Sequence, residues 1–366
     1  MSDEQVIEWR RHLHRHPEPS FEEHETARFV AETLESLGIA TERPTATSVV
    51  GRLGSGPAIA LRADIDALPI TEESGVEFAS RRDGFMHACG HDGHTAMLLG
   101  AAKQLAEDPP NHREIRFIFQ HAEELAPGGA KDLVEAGVMD GVELIYGCHL
   151  WTPLEYGKVV ARPGPFMAAA DFFRLTIRGK GGHAGLPHTA DDTVVAAAAV
   201  VTDLQHVVSR RIDPLQPAVI TVGSLHAGDA PNVIPGEAVL TGTTRSFDPD
   251  IRQRLPELIE ATTNHVCAAH GAAAELDYQF GYKPVVNDAH ATELVQHAIG
   301  DRLADLDPIM GGDDFSAYLE HAPGCYAFIG AGGEHPHHHP RFRIDERALA
   351  IGTRLHVAVA RGTLGA

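Results

Sequence analysis

The segment REIRFIFQHAEE, residues 113–124, indicates the fold class most clearly. It contains a short apolar run typical of a buried strand, and it ends in the acidic pair Glu123 and Glu124. Similar apolar runs occupy residues 58–61 and 142–150, and residues with helical spacing separate the three runs. Strands that alternate with helices in this way predict a parallel or mixed α/β sheet.

Helical patterns extend this alternation toward both ends of the chain. Apolar residues at helical spacing cover residues 3–37, and the segment HPEP at residues 16–19 divides them into two helices joined by a turn. Later elements are helices over residues 94–106, 289–303 and from about 345 onward, and a strand over residues 326–329.

The middle of the chain follows a different plan. Strand patterns lie at residues 171–179, 218–226, 237–247 and 273–280, and helical patterns lie at residues 191–210 and 248–270. The order β-α-β-β-α-β is that of the ferredoxin-like motif. Because 366 residues usually form more than one domain, we predict two. They are an α/β catalytic domain over residues 1–167 and 284–366, and an inserted ferredoxin-like α+β lid domain over residues 168–283.

The charge composition argues against strongly negative partners. Aspartate and glutamate number 51 against 30 lysines and arginines, which gives a net charge of −21. Nucleic acids and anionic membranes attract basic surfaces, so we expect neither as a main partner. The N-terminal residues contain no apolar segment of the signal-peptide type, and no apolar run approaches the roughly 20 residues of a membrane span. With four scattered cysteines, we expect a cytoplasmic protein with reduced thiols.

The segment MHACGHDGH, residues 86–94, is the densest signal for chemistry. Cys89 and His91 are two residues apart, so in an extended segment both side chains leave the same face of the backbone. A thiolate and an imidazole directed at one point suit a divalent metal such as Zn²⁺. Taken alone, a helix-start loop with incidental polar residues explains the segment equally well.

The ends of the other predicted strands favour the metal hypothesis. Parallel strands present functional groups at their carboxyl edge, and polar residues end three predicted strands here: Glu123 with Glu124, His149, and Asp64 with Asp66. Neighbours on an extended backbone point apart, so we expect one glutamate to bind metal while the other takes a proton from water. A solvated acidic pair is the alternative for these glutamates. The constellation as a whole predicts a metal site.

A histidine-rich tract, HPHHHP at residues 335–340, lies before the last helical pattern. Its internal position excludes an expression tag. Most of these histidines are expected at the surface, and one or two of them are expected to bind metal.

Eight motifs along the chain together resemble a known family. They are RADIDALP (62–69), HACGHDGHTA (87–96), HAEE (121–124), GGA (128–130), GKGGHAGLPH (179–188), APNVIPGEA (230–238), GGDDFS (311–316) and HHPRFRIDE (338–346). Their order resembles the dinuclear-metal aminoacylase/carboxypeptidase family. Within it they are similar to the amidohydrolase branch of hippurate hydrolases, N-acyl-L-amino acid amidohydrolases and auxin-conjugate hydrolases. The resemblance implies a dimetal aminopeptidase-like catalytic domain with an inserted lid, in agreement with the pattern of elements.

The resemblance also implies a set of metal ligands. It carries this role to Cys89, His91, Glu124, His149 and one histidine of the late tract. In the branch the late ligand lies two residues before a proline, so Pro340 selects His338 over His337 and His339. The implied cofactors are two divalent metal ions, Zn²⁺ or Mn²⁺ first, with Co²⁺ or Ni²⁺ as alternatives.

Matched positions imply two further roles beside the metals. Glu123 corresponds to the general base, and Asp66 to a carboxylate that orients a ligand histidine, which we expect to be His91. The chain departs from the branch at His121, where proline is more usual, and at Asp313, where glutamate is more usual. Neither departure removes a ligand.

The predicted lid contains three more candidate residues. His183 corresponds to a histidine that stabilises the oxyanion of the scissile carbonyl, and Asn232 and Arg245 to residues that face the substrate cleft. A turn histidine between glycines is the alternative for His183, and a surface strand arginine is the alternative for Arg245. Because these residues and the ligands lie on different predicted domains, we expect lid closure to form part of the mechanism.

The predicted reaction is metal-dependent hydrolysis of the amide bond of an N-acyl amino acid, giving a carboxylate and a free amino acid. A dipeptidase or carboxypeptidase on the same dimetal site is the first alternative. A hydrolase with Cys89 as nucleophile and a non-enzymatic histidine-rich metal-binding protein are the others. The resemblance implies a homodimer through the lid domain.

Overall fold

A computed structural model describes residues 3–362, and the chain divides into two compact units. The first unit comprises the described residues up to Phe166, Val285–Asp307 and the described residues from Asp314 onward, and the second comprises Met167–Pro284 and Pro308–Asp313. The predicted domain limits differ by the segment Pro308–Asp313 and by the single residues Met167 and Pro284, all of which group with the second unit. The backbone explains the difference, because the Ala168 N–H donates to the carbonyls of Ile309 at 3.1 Å and Gly311 at 2.8 Å.

Eight α-helices lie within residues 3–362. They are α1 (Asp3–Arg15), α2 (His24–Ser36), α3 (His91–Glu107), α4 (Gly129–Glu135), α5 (Thr193–His206), α6 (Pro249–Ala269), α7 (Ala289–Ile299) and α8 (Arg347–Arg361). Helix α5 continues into one π-helical turn, and short 3₁₀ helices precede α5, follow α7 and precede the last strand. The two N-terminal helices and the turn between them are as predicted.

The same residues form fifteen strands. They are β1 (Ala40–Glu42), β2 (Val49–Gly54), β3 (Ala58–Asp64), β4 (Glu114–Gln120), β5 (Val142–Trp151), β6 (Val159–Val160), β7 (Gly164–Met167), β8 (Ala169–Arg178), β9 (Gly182–His183), β10 (Ala218–Ala227), β11 (Val233–Ile234), β12 (Glu237–Ser246), β13 (Ala273–Tyr282), β14 (Val285–Asn287) and β15 (Gly324–Gly330).

The first unit is built on a seven-stranded mixed sheet in the order β1-β2-β4-β3-β5-β15-β6. Its four central strands, β4, β3, β5 and β15, are mutually parallel, and the outer strands run antiparallel to their neighbours. Every residue of β3 and β15 is buried, as expected for central strands covered on both faces. The carboxyl ends of the four parallel strands therefore meet at one edge.

Helix α3 brings the HACGHDGH segment to this sheet. It is buried almost all round, because it contacts the sheet and also packs against α1 and α8. Gly100 permits this close approach: a Cβ at that position would lie 2.8 Å from Val6 Cγ2 and 3.1 Å from Thr353. The start of α3 is consequently fixed relative to the strand ends.

The second unit has a four-stranded antiparallel sheet in the order β10-β12-β8-β13. Helices α5 and α6 pack on one face over an apolar core that includes Leu175, Ile177, Leu240 and Ile259. Asp192 and Asp248 cap the two helices by accepting hydrogen bonds from first-turn N–H groups. The strand order and the two helices are those of a ferredoxin-like domain, as predicted.

None of the helices within residues 3–362 is both long and apolar enough to cross a lipid bilayer. The four cysteines are all buried as free thiols.

Candidate metal centre

The predicted ligands of the first unit come together at the carboxyl edge of its parallel strands. Donor atoms of Cys89, His91 and His149 lie within 4.8 Å of one another, and so do those of Cys89, Glu124 and His338. His149 lies near the end of β5, Glu124 and His338 lie in loops after β4 and β15, and Cys89 and His91 lie just before and at the start of α3. The edge therefore presents one thiol, three imidazoles and a carboxylate in a single cluster.

His91 is held by the carboxylate that was expected to orient it. Its Nδ1–H donates to Asp66 Oδ1 and to the Asp66 carbonyl, both at 3.0 Å. This bond fixes the tautomer and turns Nε2 toward the cluster, as in other carboxylate–histidine–metal arrangements. Sequence reasoning assumed an extended backbone here, which was wrong: Gly90 is left-handed at φ 101° and His91 begins α3.

Glu123 and Glu124 were expected to point apart, and the structure corrects this expectation. Glu123 Oε2 lies 4.0 Å and Glu124 Oε1 3.8 Å from the same atom, His91 Nε2. The cause is Ala122, whose positive φ of 49° ends the extended backbone of β4 immediately before the pair. Both carboxylates consequently reach the cluster from one loop.

Cys89 and His149 form the other side of the cluster. Cys89 Sγ lies 3.4 Å from His149 Nε2, and His149 Nδ1–H donates to the Leu150 carbonyl at 2.8 Å. The latter bond leaves Nε2 of His149 with its lone pair toward the thiol. The neighbouring Cys148 faces the opposite way, as expected, and its Sγ lies 3.4 Å from His356 Nε2 in the core.

The three histidines of the late tract have different surroundings. His338 Nε2 lies 3.2 Å from Glu124 Oε1, at the cluster. His337 Nε2–H instead donates to the Leu150 carbonyl at 2.9 Å, and His339 Nδ1 accepts from the Arg341 N–H at 3.0 Å. The geometry thus places His338, the residue selected by Pro340, beside the other donors.

Sequence reasoning missed His94 and the buried charges around it. His94 Nε2 accepts from the Leu150 N–H at 2.9 Å, and its Nδ1–H donates to Asp64 Oδ1 at 2.6 Å. Asp64 also pairs with Arg62 at 2.6 Å, and Arg62 pairs with Asp314 at 2.9 Å. The signal was present in the sequence, because an arginine inside an apolar strand requires buried partners.

One unpartnered atom tests whether a metal fits this cluster. His91 Nε2 is buried and, among residues 3–362, accepts or donates no hydrogen bond, although three carboxylates lie 3.8–4.0 Å away. Burial opposes a charge on His91, yet the carboxylates of Asp64, Asp66 and Glu124 raise its pKa to about 10. A cation between these groups would satisfy both the imidazole and the carboxylates, so the donor set fits a divalent metal.

The environment of Cys89 supports the same conclusion. Burial raises the pKa of its thiol well above the usual range, and the carboxylates of Glu124 and Glu123 raise it further. A thiolate nucleophile requires a positive environment, and this one is acidic. A metal ion would reverse that field, since coordination deprotonates a thiol outright.

The candidate residues of the second unit are arranged differently. His183 pairs with Val233 across the short ribbon of β9 and β11, and Asn232 accepts a backbone hydrogen bond from the Ala184 N–H at 3.1 Å. His183 and Asn232 are exposed, and the structure brings their backbones together. His183 Nδ1 accepts from the Gly185 N–H at 3.0 Å, which leaves Nε2 as the hydrogen-bond donor of the neutral ring.

Arg245 lies on β12 and is half-buried. Its Nη1 donates to the Thr244 carbonyl at 3.0 Å and to Thr243 Oγ1, and burial lowers the pKa of its guanidinium. Asp313, one of the two departures from the expected motif pattern, belongs to the second unit with Arg245.

Comparison with known proteins identifies the family. A model of Peptidase family M20/M25/M40 matches residues 60–362 of this chain. The chain belongs to this family. It is 55% identical to an N-acyl-L-amino acid amidohydrolase of Geobacillus stearothermophilus over 77% of its own length and 78% of that protein. It is 44% identical to an N-acetyl-L-cysteine deacetylase of Bacillus subtilis over 95% of its own length and 85% of the relative.

A solved structure of the M20 family has the same fold. The crystal structure of a dinuclear metal-binding M20 peptidase from Bacillus subtilis matches with a TM-score of 0.86 and 36% identity, covering 98% of this chain and 97% of that one. Membership in the M20/M25/M40 family confirms the resemblance inferred from the eight motifs. It also confirms the predicted fold class and the prediction of a hydrolase that cleaves amide bonds.

The departure at His121 lies next to the catalytic pair expected for an M20 enzyme. His121 is buried, its Nε2 lies 3.4 Å from Asp132 Oδ2 on α4, and its ring meets Phe21 edge-on at 5.5 Å. Burial lowers the pKa of this imidazole. The side chain therefore packs between Asp132 of α4 and Phe21, at a position where the branch more often has a proline.

Proposed function

We propose that this protein hydrolyses the amide bond of N-acyl amino acids and releases a carboxylate and a free amino acid. One observation carries the proposal: the buried His91 Nε2 faces three carboxylates at 3.8–4.0 Å, in a cluster that also contains a thiol and two more imidazoles. The names of the relatives from Geobacillus and Bacillus support the amide of an N-acyl amino acid as the substrate class.

Two divalent metal ions are the proposed cofactors, held by Cys89, His91, Glu124, His149 and His338. The thiol favours Zn²⁺, and the imidazoles with the carboxylate also suit Mn²⁺, so these two are proposed first. When bound, such ions act as Lewis acids that lower the pKa of water and polarise a carbonyl group. The dinuclear centre of the Bacillus subtilis M20 peptidase supports the number of ions.

Glu123 is the proposed general base. It is buried, it lies 4.0 Å from His91 Nε2, and it enters the cluster from the same loop as Glu124. A carboxylate in this position can accept a proton from water and later pass it to the leaving amine. Asp66 is proposed to act through His91, because its carboxylate holds the imidazole in one tautomer.

Three residues of the second unit are proposed to bind the substrate. His183 is assigned to the oxyanion, because the Gly185 N–H occupies its Nδ1 and leaves Nε2–H to donate. Asn232 and Arg245 are assigned to the carboxylate of the amino acid, because a guanidinium can form a bidentate hydrogen bond with a carboxylate. These roles rest on the motif positions and on the local geometry of the second unit.

A homodimer and a cytoplasmic location complete the proposal. The outer strands β10 and β13 each pair with one neighbour inside the second unit, so either edge has backbone groups that a second copy could pair with. The buried thiols agree with a reducing compartment. Light scattering of the purified protein tests the dimer, and a monomer at micromolar concentration contradicts it.

Release of free amino acid from a substrate panel tests the reaction. The panel contains N-acetyl, N-benzoyl and longer N-acyl amino acids together with dipeptides. Each substrate is tested with enzyme treated with a chelator to remove metal, and again after addition of Mn²⁺, Zn²⁺ or Co²⁺. We expect cleavage of N-acyl amino acids that metal restores. Cleavage of dipeptides alone would assign the site to a peptidase. Activity that resists chelation but is lost on alkylation would assign it to a cysteine nucleophile.

A further inference from the structure

The turn between α1 and α2 contains a buried carboxyl group that the proposed mechanism does not use. Glu23 precedes the first residue of α2, yet its side chain makes no capping hydrogen bond to that helix. Glu18 makes those bonds instead, since its carboxylate accepts from the N–H groups of Glu25 and Thr26 at 3.2 and 2.7 Å. Glu23 is fully buried and points elsewhere.

Glu23 binds two backbone positions of unusual conformation. Its Oε1 accepts from the Phe21 N–H at 3.0 Å and from the Ala122 N–H at 2.7 Å. Phe21 has a φ of 68° and Ala122 a φ of 49°, and only four residues other than glycine have a positive φ within residues 3–362. Left-handed backbone is unfavourable for residues with a Cβ and persists where surrounding contacts over-determine it. One carboxyl oxygen thus supports two such positions.

Ala122 connects this contact with the cluster. It directly precedes Glu123, and its left-handed turn directs Glu123 and Glu124 toward His91 Nε2. The carbonyl of Ala122 accepts from the Gly129 N–H at 3.0 Å, so both backbone polar groups of Ala122 are hydrogen-bonded. A change in this turn would move the carboxylate of Glu123.

A second carboxylate holds the other end of the same loop. Asp66 Oδ2 accepts from the Glu124 N–H at 3.0 Å and from Ser20 Oγ at 2.7 Å. Ser20 and Glu23 both belong to the turn between α1 and α2. The loop that contains Glu123 and Glu124 is therefore fixed at two points, by Glu23 at Ala122 and by Asp66 at Glu124. The turn between α1 and α2 contributes to both, because it contains Glu23 and also Ser20, which donates to Asp66.

We propose that Glu23 is a positioning residue for the general base, acting through the Ala122 turn. The inference rests on the proposed function, because that function gives Glu123 the role of general base. The hydrogen bond from the Ala122 N–H to Glu23 does not depend on that role. The acceptor atom is what matters, because either ionisation state of Glu23 has a carboxyl oxygen that accepts from Ala122. Glutamine has an oxygen at the same reach, whereas aspartate is one methylene too short and alanine has none.

Three variants and one control test this proposal by steady-state kinetics and metal content. We expect Glu23→Ala and Glu23→Asp to lower kcat by about 100-fold, the loss that a displacement of about 1 Å causes. We expect KM and metal stoichiometry to stay at the wild-type values, and Glu23→Gln to restore kcat. Glu18→Ala removes similar hydrogen bonds from the same turn and is expected to leave kcat unchanged.

A crystal structure of Glu23→Asp gives a result that does not depend on the reaction. This variant keeps a carboxyl group and most of the buried volume, so it remains available when Glu23→Ala does not fold. We expect Ala122 to leave the left-handed region; an unchanged φ at Ala122, or a wild-type kcat in Glu23→Asp, overturns the proposal. A wild-type enzyme inactive on the whole N-acyl panel overturns the proposed function instead, and leaves the crystallographic test standing.

Discussion

The two regions that contain candidate functional residues differ in how firmly their side chains are held. At the sheet edge of the first unit, the two buried imidazoles each have one nitrogen occupied by a fixed partner: Asp66 for His91, and the Leu150 carbonyl for His149. In the second unit His183 and Asn232 are exposed, and the contact between their segments is made by backbone groups. The side chains of the first region are therefore preorganised to bind metal ions. The exposed side chains of the second region are suited to becoming ordered when substrate binds.

Substitution of the general base tests the first region and has the largest expected effect. Glu123→Gln should keep its place and its neighbours but lose the ability to accept a proton, which lowers kcat by about 10²–10⁴-fold. The bound metal should stay at the wild-type amount. Glu135→Gln, an exposed change on α4, is the matched control. Turnover near the wild-type rate in Glu123→Gln would remove this residue as the base.

Substitution of His183 tests the second region. His183→Ala removes the proposed donor to the oxyanion, so kcat should fall by roughly 10²–10³-fold while the metal content stays constant. His188→Ala changes another exposed histidine of the same unit and should have no effect. A change confined to KM would reassign His183 to ground-state binding and would reduce the contrast between the two regions.

Substitution of Asp66 measures how much the fixed partners contribute. Asp66→Asn retains an oxygen that can accept from His91 Nδ1–H but removes the negative charge. Metal affinity should fall by about 10–100-fold, the usual cost of losing such a partner. Competition with a chromophoric chelator measures the affinity. An unchanged affinity would show that the ligands alone arrange the site.

The last prediction concerns stability rather than catalysis or metal binding: the buried turn should make stability depend on pH. Burial and the nearby Asp66 raise the pKa of Glu23 to about 7, from an ordinary value of 4.5. The folded chain then retains a proton that the unfolded chain releases, so stability falls as pH rises from 4.5 to 7. The loss is about 3 kcal/mol in the metal-free protein.

Glu23→Gln has no proton to release at this position. The difference between the wild type and this variant therefore measures the contribution of Glu23 to the pH dependence of stability. Urea unfolding of the chelator-treated proteins at pH 5 and pH 8 measures both free energies. The wild type should lose more stability than Glu23→Gln over this interval. Equal losses in the two proteins would place the pKa of Glu23 in its ordinary range.

The sequence predicted which residues meet at the sheet edge, because this depends on strand order. It did not predict where their side chains point, because this depends on local backbone turns. Parallel strands fix which ends meet, so Glu123, Glu124 and His149 were correctly placed at one edge. The left-handed residues Gly90 and Ala122 decide where the side chains point, and alternation along a strand does not contain that information. Sequence reasoning therefore brought these side chains to one edge of the sheet, but with the wrong local geometry.

The contributions of His94, Arg62 and Glu23 were not predicted for a related reason. Each acts through partners that are distant in the chain, such as Asp64 for His94, Asp314 for Arg62 and Ala122 for Glu23. Such contacts follow from tertiary packing rather than from spacing. A buried charge in a strand was the one visible sign, and it indicated only that some partner must exist.

Metal titration of the purified protein measures whether the sheet edge of the first unit binds two divalent ions. Apoprotein is titrated with Zn²⁺ and with Mn²⁺ and the bound ions are counted by calorimetry and elemental analysis, for the wild type and for Cys89→Ser. Cys267→Ser, a buried thiol of the second unit, serves as the control. We expect two ions per chain in the wild type and in the control, and weakened binding in Cys89→Ser. Less than one ion per wild-type chain, or equal binding in Cys89→Ser, would contradict this expectation.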